Sequence, residues 1–209
     1  MDGTLLSGST ASLELSRRLG CLDELTQIES EFAAQNIDTR EFARRIYSLW
    51  RDLTEEVVEA AFATSPWLTG ISQVCSDIRY RGERSAVITM SPDFFARRLI
   101  SWGVDEVLAS QFPAVPFEDD LDPSGILAPA DKIHLVDTLC ARHEVERAHC
   151  IAYGDSMSDA PLFQILSTTV AINADYHLAD LASLHYRGNS LLEAYRQVRT
   201  LLNPSDQAC

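Results

Sequence analysis

From Ser65 onward, short β-rich runs alternate with helical segments, and this alternation limits the possible folds more than any other feature of the chain. Ser85-Ala86-Val87-Ile88-Thr89, Glu106 to Ala109, Cys150 to Tyr153 and Thr169 to Ile172 read as strands, with an edge strand at Leu184 to Tyr186. Helices are predicted from Ser65-Pro66 to Arg81-Gly82, from Pro92 to Ser101 with closure at Gly103, over Asp131 to His143, near Asp159 to Leu166, and over Ser190 to Leu202. Phe112 to Phe117 and Gly125 to Leu127 suggest a hairpin around the acidic loop Glu118 to Ser124, and Asn203 to Cys209 a polar tail. Strands that alternate with helices predict an α/β fold. Its sheet is doubly wound, mostly parallel and covered on both faces, and ligands bind beyond the carboxyl ends of its strands.

Residues 9–64 have a different texture, with no good strand candidate. Ser9 or Thr10 can cap a helix carrying Leu13, Leu15 and Leu19 that ends near Gly20, and a second helix runs from Leu22 to about Gln35. Asp38-Thr39-Arg40-Glu41 reads as a capping box, and Thr54 as the cap of a fourth helix. The expected organisation is an α/β core of residues 1–8 and 65–209 with an inserted all-helical cap domain of residues 9–64.

A formal charge of -14 argues against nucleic acid or an anionic membrane as partner, because both require a basic footprint. An anionic substrate would then need positive charge placed locally, by a metal or a few Lys and Arg. Cys21, Cys75, Cys140, Cys150 and Cys209 are scattered singly, without C-x-x-C, and read as reduced thiols. No basic leader or long apolar run is visible, so a cytoplasmic location is the expectation.

Three stretches carry candidate chemistry. Gly154-Asp155-Ser156-Met157-Ser158-Asp159 follows a strand and opens a helix, bringing two carboxylates near one point of the sheet edge, where hard oxygens suit Mg²⁺; helix capping would also explain them. Lys132 opens a helix, where its charge opposes the macrodipole; it is either a solvated surface side chain or a phosphate contact. Thr89 ends a strand and is followed by Met90-Ser91-Pro92 at a helix start, which suits an anion or a plain cap.

Together with Met1-Asp2-Gly3-Thr4-Leu5-Leu6, these stretches in this order resemble the motifs of the haloacid dehalogenase-like (HAD) phosphohydrolases over nearly the whole chain. The run Ile88 to Leu99 and the helical insertion are similar to the phosphoserine phosphatase-like branch. The resemblance implies Mg²⁺-dependent hydrolysis of a small phosphorylated metabolite through an aspartyl-phosphate. Asp2 would be the general acid/base and offer its carbonyl to the metal. Gly3, Thr4, Thr89, Met90 and Lys132 would bind the phosphoryl group, with Thr89 and Lys132 catalytic. Asp155 would be a metal ligand, and Asp159 would hold the metal shell or Lys132. The nucleophilic Asp of this family belongs immediately before Met1, so the expectation is that the natural chain starts upstream and that these 209 residues alone are inactive. Ala34 and Ile46 stand where the phosphoserine enzymes carry a substrate-reading Glu and Arg, which disfavours phosphoserine; Gln35, Arg44, Arg45 and Tyr47 are nearby alternatives. The competing reading is an inactive HAD-like paralogue that binds a phosphorylated metabolite.

Overall fold

The computed structural model describes residues 1–202; the Asn203 to Cys209 tail lies outside them. Four helices come first: α1 (Ala11–Leu19), α2 (Leu22–Ala33), α3 (Thr39–Leu49) and α4 (Glu55–Thr64). Thr10, Asp38 and Thr54 each accept the backbone N–H three residues on, from Leu13, Glu41 and Val57, so three of the four starts are set by local cap chemistry. Gly20 closes α1 in the left-handed conformation.

The Asp38 box is only half made, because Glu41 turns to arginine. Its carboxylate accepts from Arg44 (2.6 and 2.7 Å) and Arg45 (2.8 Å), while Arg45 also reaches Glu31 at 2.8 Å. These hydrogen bonds, Arg44's first, hold the Glu41 carboxyl down at about 2. With the folded value depressed, the small stabilisation from this exposed cluster is present above the ordinary value of 4.5 and is lost as pH falls toward 2. A carboxyl NMR titration is expected to show Glu41 inflecting near 2; an inflection at the ordinary value would show that the arginines do not hold it.

Beyond the helices come α5 (Ile71–Tyr80), β1 (Ala86–Pro92), α6 (Asp93–Ala96), β2 (Glu106–Ser110), α7 (Asp131–His143), β3 (Ile151–Gly154), α8 (Ala160–Ile165), β4 (Thr168–Ile172), α9 (Tyr176–Ala179), β5 (Leu184–Tyr186) and α10 (Leu191–Leu202). Every pairing between these strands is parallel. β1 pairs with β2, and β3-β4-β5 form a second group with β5 at its edge. The first residues contribute isolated bridges, Asp2 with Leu6 and Leu6 with Trp67.

Three local expectations are corrected. Ser65-Pro66 does not open a helix: the Ser65 hydroxyl donates to Ala61 O at 2.7 Å and closes α4, whereas α5 begins after Gly70. The predicted helix from Pro92 to Ser101 is a single turn, α6, followed by a 3₁₀ segment over Arg97–Trp102 that ends at left-handed Gly103. Residues 112–127 form no hairpin; they hold only a 3₁₀ turn, Pro123–Gly125, and meet the end of β2 through Gln111 N–H to Gly125 O (2.9 Å) and Leu127 N–H to Ser110 Oγ (3.0 Å).

One apolar cluster runs through both halves, from Leu15, Trp50 and Phe62 to Phe95, Val170, Ile172 and Val198. At the joint, Phe62 and Trp67 lie 4.8 Å apart and Trp67 and Trp102 5.2 Å apart between ring centroids. Trp67 Nε1 donates to Phe62 O at 2.7 Å and Trp50 Nε1 to Ser16 Oγ at 2.8 Å, so the polar edges of half-buried Trp67 and buried Trp50 are satisfied. No helix among the described residues is long and apolar enough to cross a membrane.

Candidate active site

The Met1–Leu6 turn lies between the exits of β1 and β3, and its side chains reach both. Asp2 Oδ2 accepts from the Ser91 hydroxyl at 2.5 Å and lies 3.4 Å from Thr89 Oγ1; Oδ1 accepts the Ala11 amide at 2.8 Å. Asp2 therefore ties the end of β1 to the first turn of α1. Thr4 Oγ1 donates to Asp155 Oδ1 at 2.6 Å, just past β3. Thr4 and Thr89 are buried. Met90 sits between Thr89 and Ser91 on β1, and the Ser91 amide donates to Thr89 Oγ1 at 3.2 Å.

Gly3 is needed in this turn for two reasons. Its φ is +67°, a conformation that side chains oppose, and a Cβ there would stand 1.9 Å from Asp155 Oδ2. The Asp155 carboxylate thus lies directly against the Gly3 backbone. Gly154 plays the same part for Asp159, whose carboxylate would meet a Cβ at 2.6 Å.

Lys132 and Asp159 form a buried ion pair, with Nζ to Oδ1 at 2.6 Å and exposures of 6% and 8%. Lys132 Nζ also lies 3.3 Å from Ser158 Oγ, and Asp159 Oδ2 accepts the Asp155 amide at 3.1 Å. Both oxygens of Asp159 are therefore engaged within the protein. An ammonium has three protons, and these contacts use two, which leaves one for an incoming anion.

Burial raises the Asp155 carboxyl above the ordinary carboxylate value; the Thr4 hydrogen bond and the Met1 α-amino group oppose this, and the charges of Asp159 and Asp2 add to it. With Asp159 neutralised by Lys132, the desolvated Asp155 carboxylate and the nearby Asp2 carboxylate leave negative charge that a hard divalent cation offsets, so the donor set fits Mg²⁺. Among the described residues, no group of three or more His, Cys, Asp and Glu side chains is gathered for a metal. Main-chain oxygen, water and substrate oxygen would have to complete the shell.

The structure brings Asp2, Gly3, Thr4, Thr89, Lys132, Asp155 and Asp159 together from four separate segments, and it adds residues not foreseen. Ser91 is two positions after Thr89 in an extended run, and that spacing was the available signal that both side chains share a face. Ser158 touches Lys132. Glu14, only 5% exposed, accepts from Ser9 Oγ at 2.5 Å and from Arg17 Nη1 at 2.6 and 2.7 Å, while Ser9 O accepts the Gly3 amide at 3.1 Å. No sequence spacing singles out Glu14.

The sequence profile of haloacid dehalogenase-like hydrolases matches residues 1–164. The chain belongs to this family. Among curated HAD relatives it is 31% identical over 134 residues to phosphoserine phosphatase SerB1 of Mycobacterium tuberculosis, covering 62% of this chain and 42% of that one. It is 22% identical over 200 residues to the phosphoserine phosphatase of Methanocaldococcus jannaschii, covering 95% and 94%. The chain thus spans less than half the length of the mycobacterial relative. Among solved structures, a substrate-bound phosphoserine phosphatase complex superposes with a TM-score of 0.76 at 21% identity over 94% of each chain. A HAD-family hydrolase from Salmonella enterica serovar Typhi gives a TM-score of 0.80 at 21% identity, over 93% of this chain and 68% of that one. At these identities the superpositions establish the fold, an α/β HAD core with accompanying helices.

Proposed function

We propose that these residues form the binding, charge-neutralising and proton-transfer parts of a Mg²⁺-dependent phosphatase acting on a small phosphomonoester, with the helical segment of residues 9–64 as a cap over the α/β core. The observation that carries this reading is the meeting of Asp2, Thr89, Ser91 and Asp155 around one turn, with the Lys132–Asp159 pair joined to it through the Asp155 amide. Phosphoryl transfer needs mainly positioning and charge neutralisation, and this arrangement supplies both.

Lys132, held by Asp159, offers its remaining proton to the phosphoryl oxygens, and the Thr89 hydroxyl offers another by turning from its long 3.4 Å contact with Asp2. Asp2 can hold a proton at Oδ2 without losing its contact to Ser91, because a hydroxyl both donates and accepts. That permits the same group to protonate a leaving oxygen and later to draw a proton from water. Asp155 would hold Mg²⁺ together with the Asp2 carbonyl, and the ion, when bound, would neutralise phosphate charge. The covalent step requires a carboxylate joined to the amino side of Met1, which would carry the aspartyl-phosphate.

For substrate choice, Ile46 is buried in the core and Ala34 carries no polar group, so neither reads a charged amino acid. Arg44 and Arg45 are paired with Glu41, and the Tyr47 hydroxyl donates to Asp119 O at 2.9 Å. Glu14 and Arg17 are closed on each other in the same way, and Ser9 ties the pair to the catalytic turn.

The test is phosphate release with Mg²⁺ by a chain carrying an aspartate directly ahead of Met1. Activity is expected on part of a panel of phosphorylated sugars, alcohols and amino acids, with loss of at least about 100-fold on Asp155→Asn. Equal release by the unextended chain would overturn the assignment of the nucleophile.

A further inference from the structure

We propose that Cys140 and Cys150 form a dithiol–disulfide site that staples α7, whose first turn carries Lys132, to β3, which leads into Asp155. Although scattered in sequence, the two sulfurs stand 3.5 Å apart. Both side chains are partly exposed, and both thiols are free. A disulfide bond is about 2.05 Å long, so the sulfurs need to approach by roughly 1.5 Å in all, within the reach of side-chain rotation.

The surrounding groups hold the pair in register. Asp137, one turn before Cys140, takes Arg147 through two parallel bonds of 2.6 and 2.7 Å. That clamp folds the turn before Cys150 back onto the helix. The Val145 amide donates to Cys140 O at 2.9 Å and the Cys150 amide to Arg147 O at 3.0 Å, completing the reversal. Arg142 and His143 of α7 also pair with Glu106 on β2, so the end of the helix is anchored from a second side.

The step balances with a small-molecule disulfide as oxidant. The Cys140 thiolate attacks one sulfur of that disulfide, forming a mixed disulfide and expelling a thiolate. The Cys150 thiolate then attacks the Cys140 sulfur and expels the second thiolate. Two electrons pass from the protein to the oxidant, and the two protons go to solvent or the leaving thiolates. Burial first, and then the neighbouring Cys140, push the Cys150 thiol up to about 11, so the second attack, by Cys150, is the slow step. Cys75 is buried, with its thiol raised by desolvation, and is not expected to compete.

The experiment is incubation of the full chain with oxidised glutathione, followed by peptide mapping without reduction. The expected product has lost two hydrogens, contains a Cys140–Cys150 cross-linked peptide, and melts about 5 °C higher, an effect reversed by dithiothreitol. Cys140→Ser should abolish both the cross-link and the shift. Arg147→Gln, which releases the clamp, should slow closure several-fold while leaving both cysteines in place. Lasting glutathione adducts on Cys140 or Cys150 without the cross-link, or no reaction at either, would overturn the proposal.

Discussion

Lys132→Met is expected to destabilise the folded chain by about 3–5 kcal/mol, seen as a fall of roughly 10 °C in melting temperature. The size follows from what is left behind. Lys132 is 6% exposed and its partner Asp159 8% exposed, so methionine fills the space but leaves a carboxylate in the interior without its counter-charge. Asp159 would have to protonate or draw in water, and either would disturb the Asp155 amide bonded to its other oxygen. Lys132→Met combined with Asp159→Leu removes both charges and should recover much of the loss, because apolar pairs replace buried ion pairs at little cost. Urea unfolding of the single and double variants checks this; a single-variant loss under about 1 kcal/mol would show that the two charges are not interdependent.

Gly3→Ala is the second large effect, and the fold contains its control. Gly8 has nearly the same backbone, φ +63° against +67°, but a Cβ on Gly8 meets nothing within 4 Å. Gly8→Ala therefore reports the conformational cost alone, about 1 kcal/mol. At Gly3 the added methyl would overlap the Asp155 carboxylate, so Asp155 must swing away and lose its Thr4 hydrogen bond. A further 1–3 kcal/mol of overpacking is expected, with loss of Mg²⁺-dependent phosphate release in a chain carrying the aspartate ahead of Met1. Equal stability of the two alanine variants would show that Asp155 does not rest on Gly3.

The contrast between Thr54 and Ser65 shows how much of this fold was legible in the sequence. Thr10, Asp38 and Thr54 could be read as caps because each uses only the amide three residues on, a contact the local chain dictates. Ser65 carries the same kind of signal but turns backwards to Ala61, and the chain after it is held by tertiary contacts, with Trp67 packed on Phe62 and bridged to Leu6, rather than by a helix of its own. Residues 112–127 misled for a related reason: their apolar side chains pack on other elements, as Phe117 does against Tyr47 of α3 and Phe94, so strand-like composition did not mean strand pairing. At the site, Asp2, Thr89, Lys132, Asp155 and Asp159 stood out because motif order marks them. Ser91 and Glu14 did not, because their importance lies in contacts across 89 and 5 positions of chain that no motif encodes. The approach of Cys140 to Cys150 is likewise made by the Asp137–Arg147 clamp rather than by any cysteine pattern.

The aromatic joint between the helices and the α/β elements has an optical consequence. Trp67 and Trp102 meet edge to face at 5.2 Å, one beside α4 and the other at the end of the 3₁₀ segment after α6. Indoles this close share their excited states, and that coupling depends on their mutual angle. Both indoles belong to the 65–209 segment, and Phe62 of α4 stands 4.8 and 4.9 Å from them. Light absorbed at this pair therefore carries information about how the end of α4 packs against the α/β elements, without any added label.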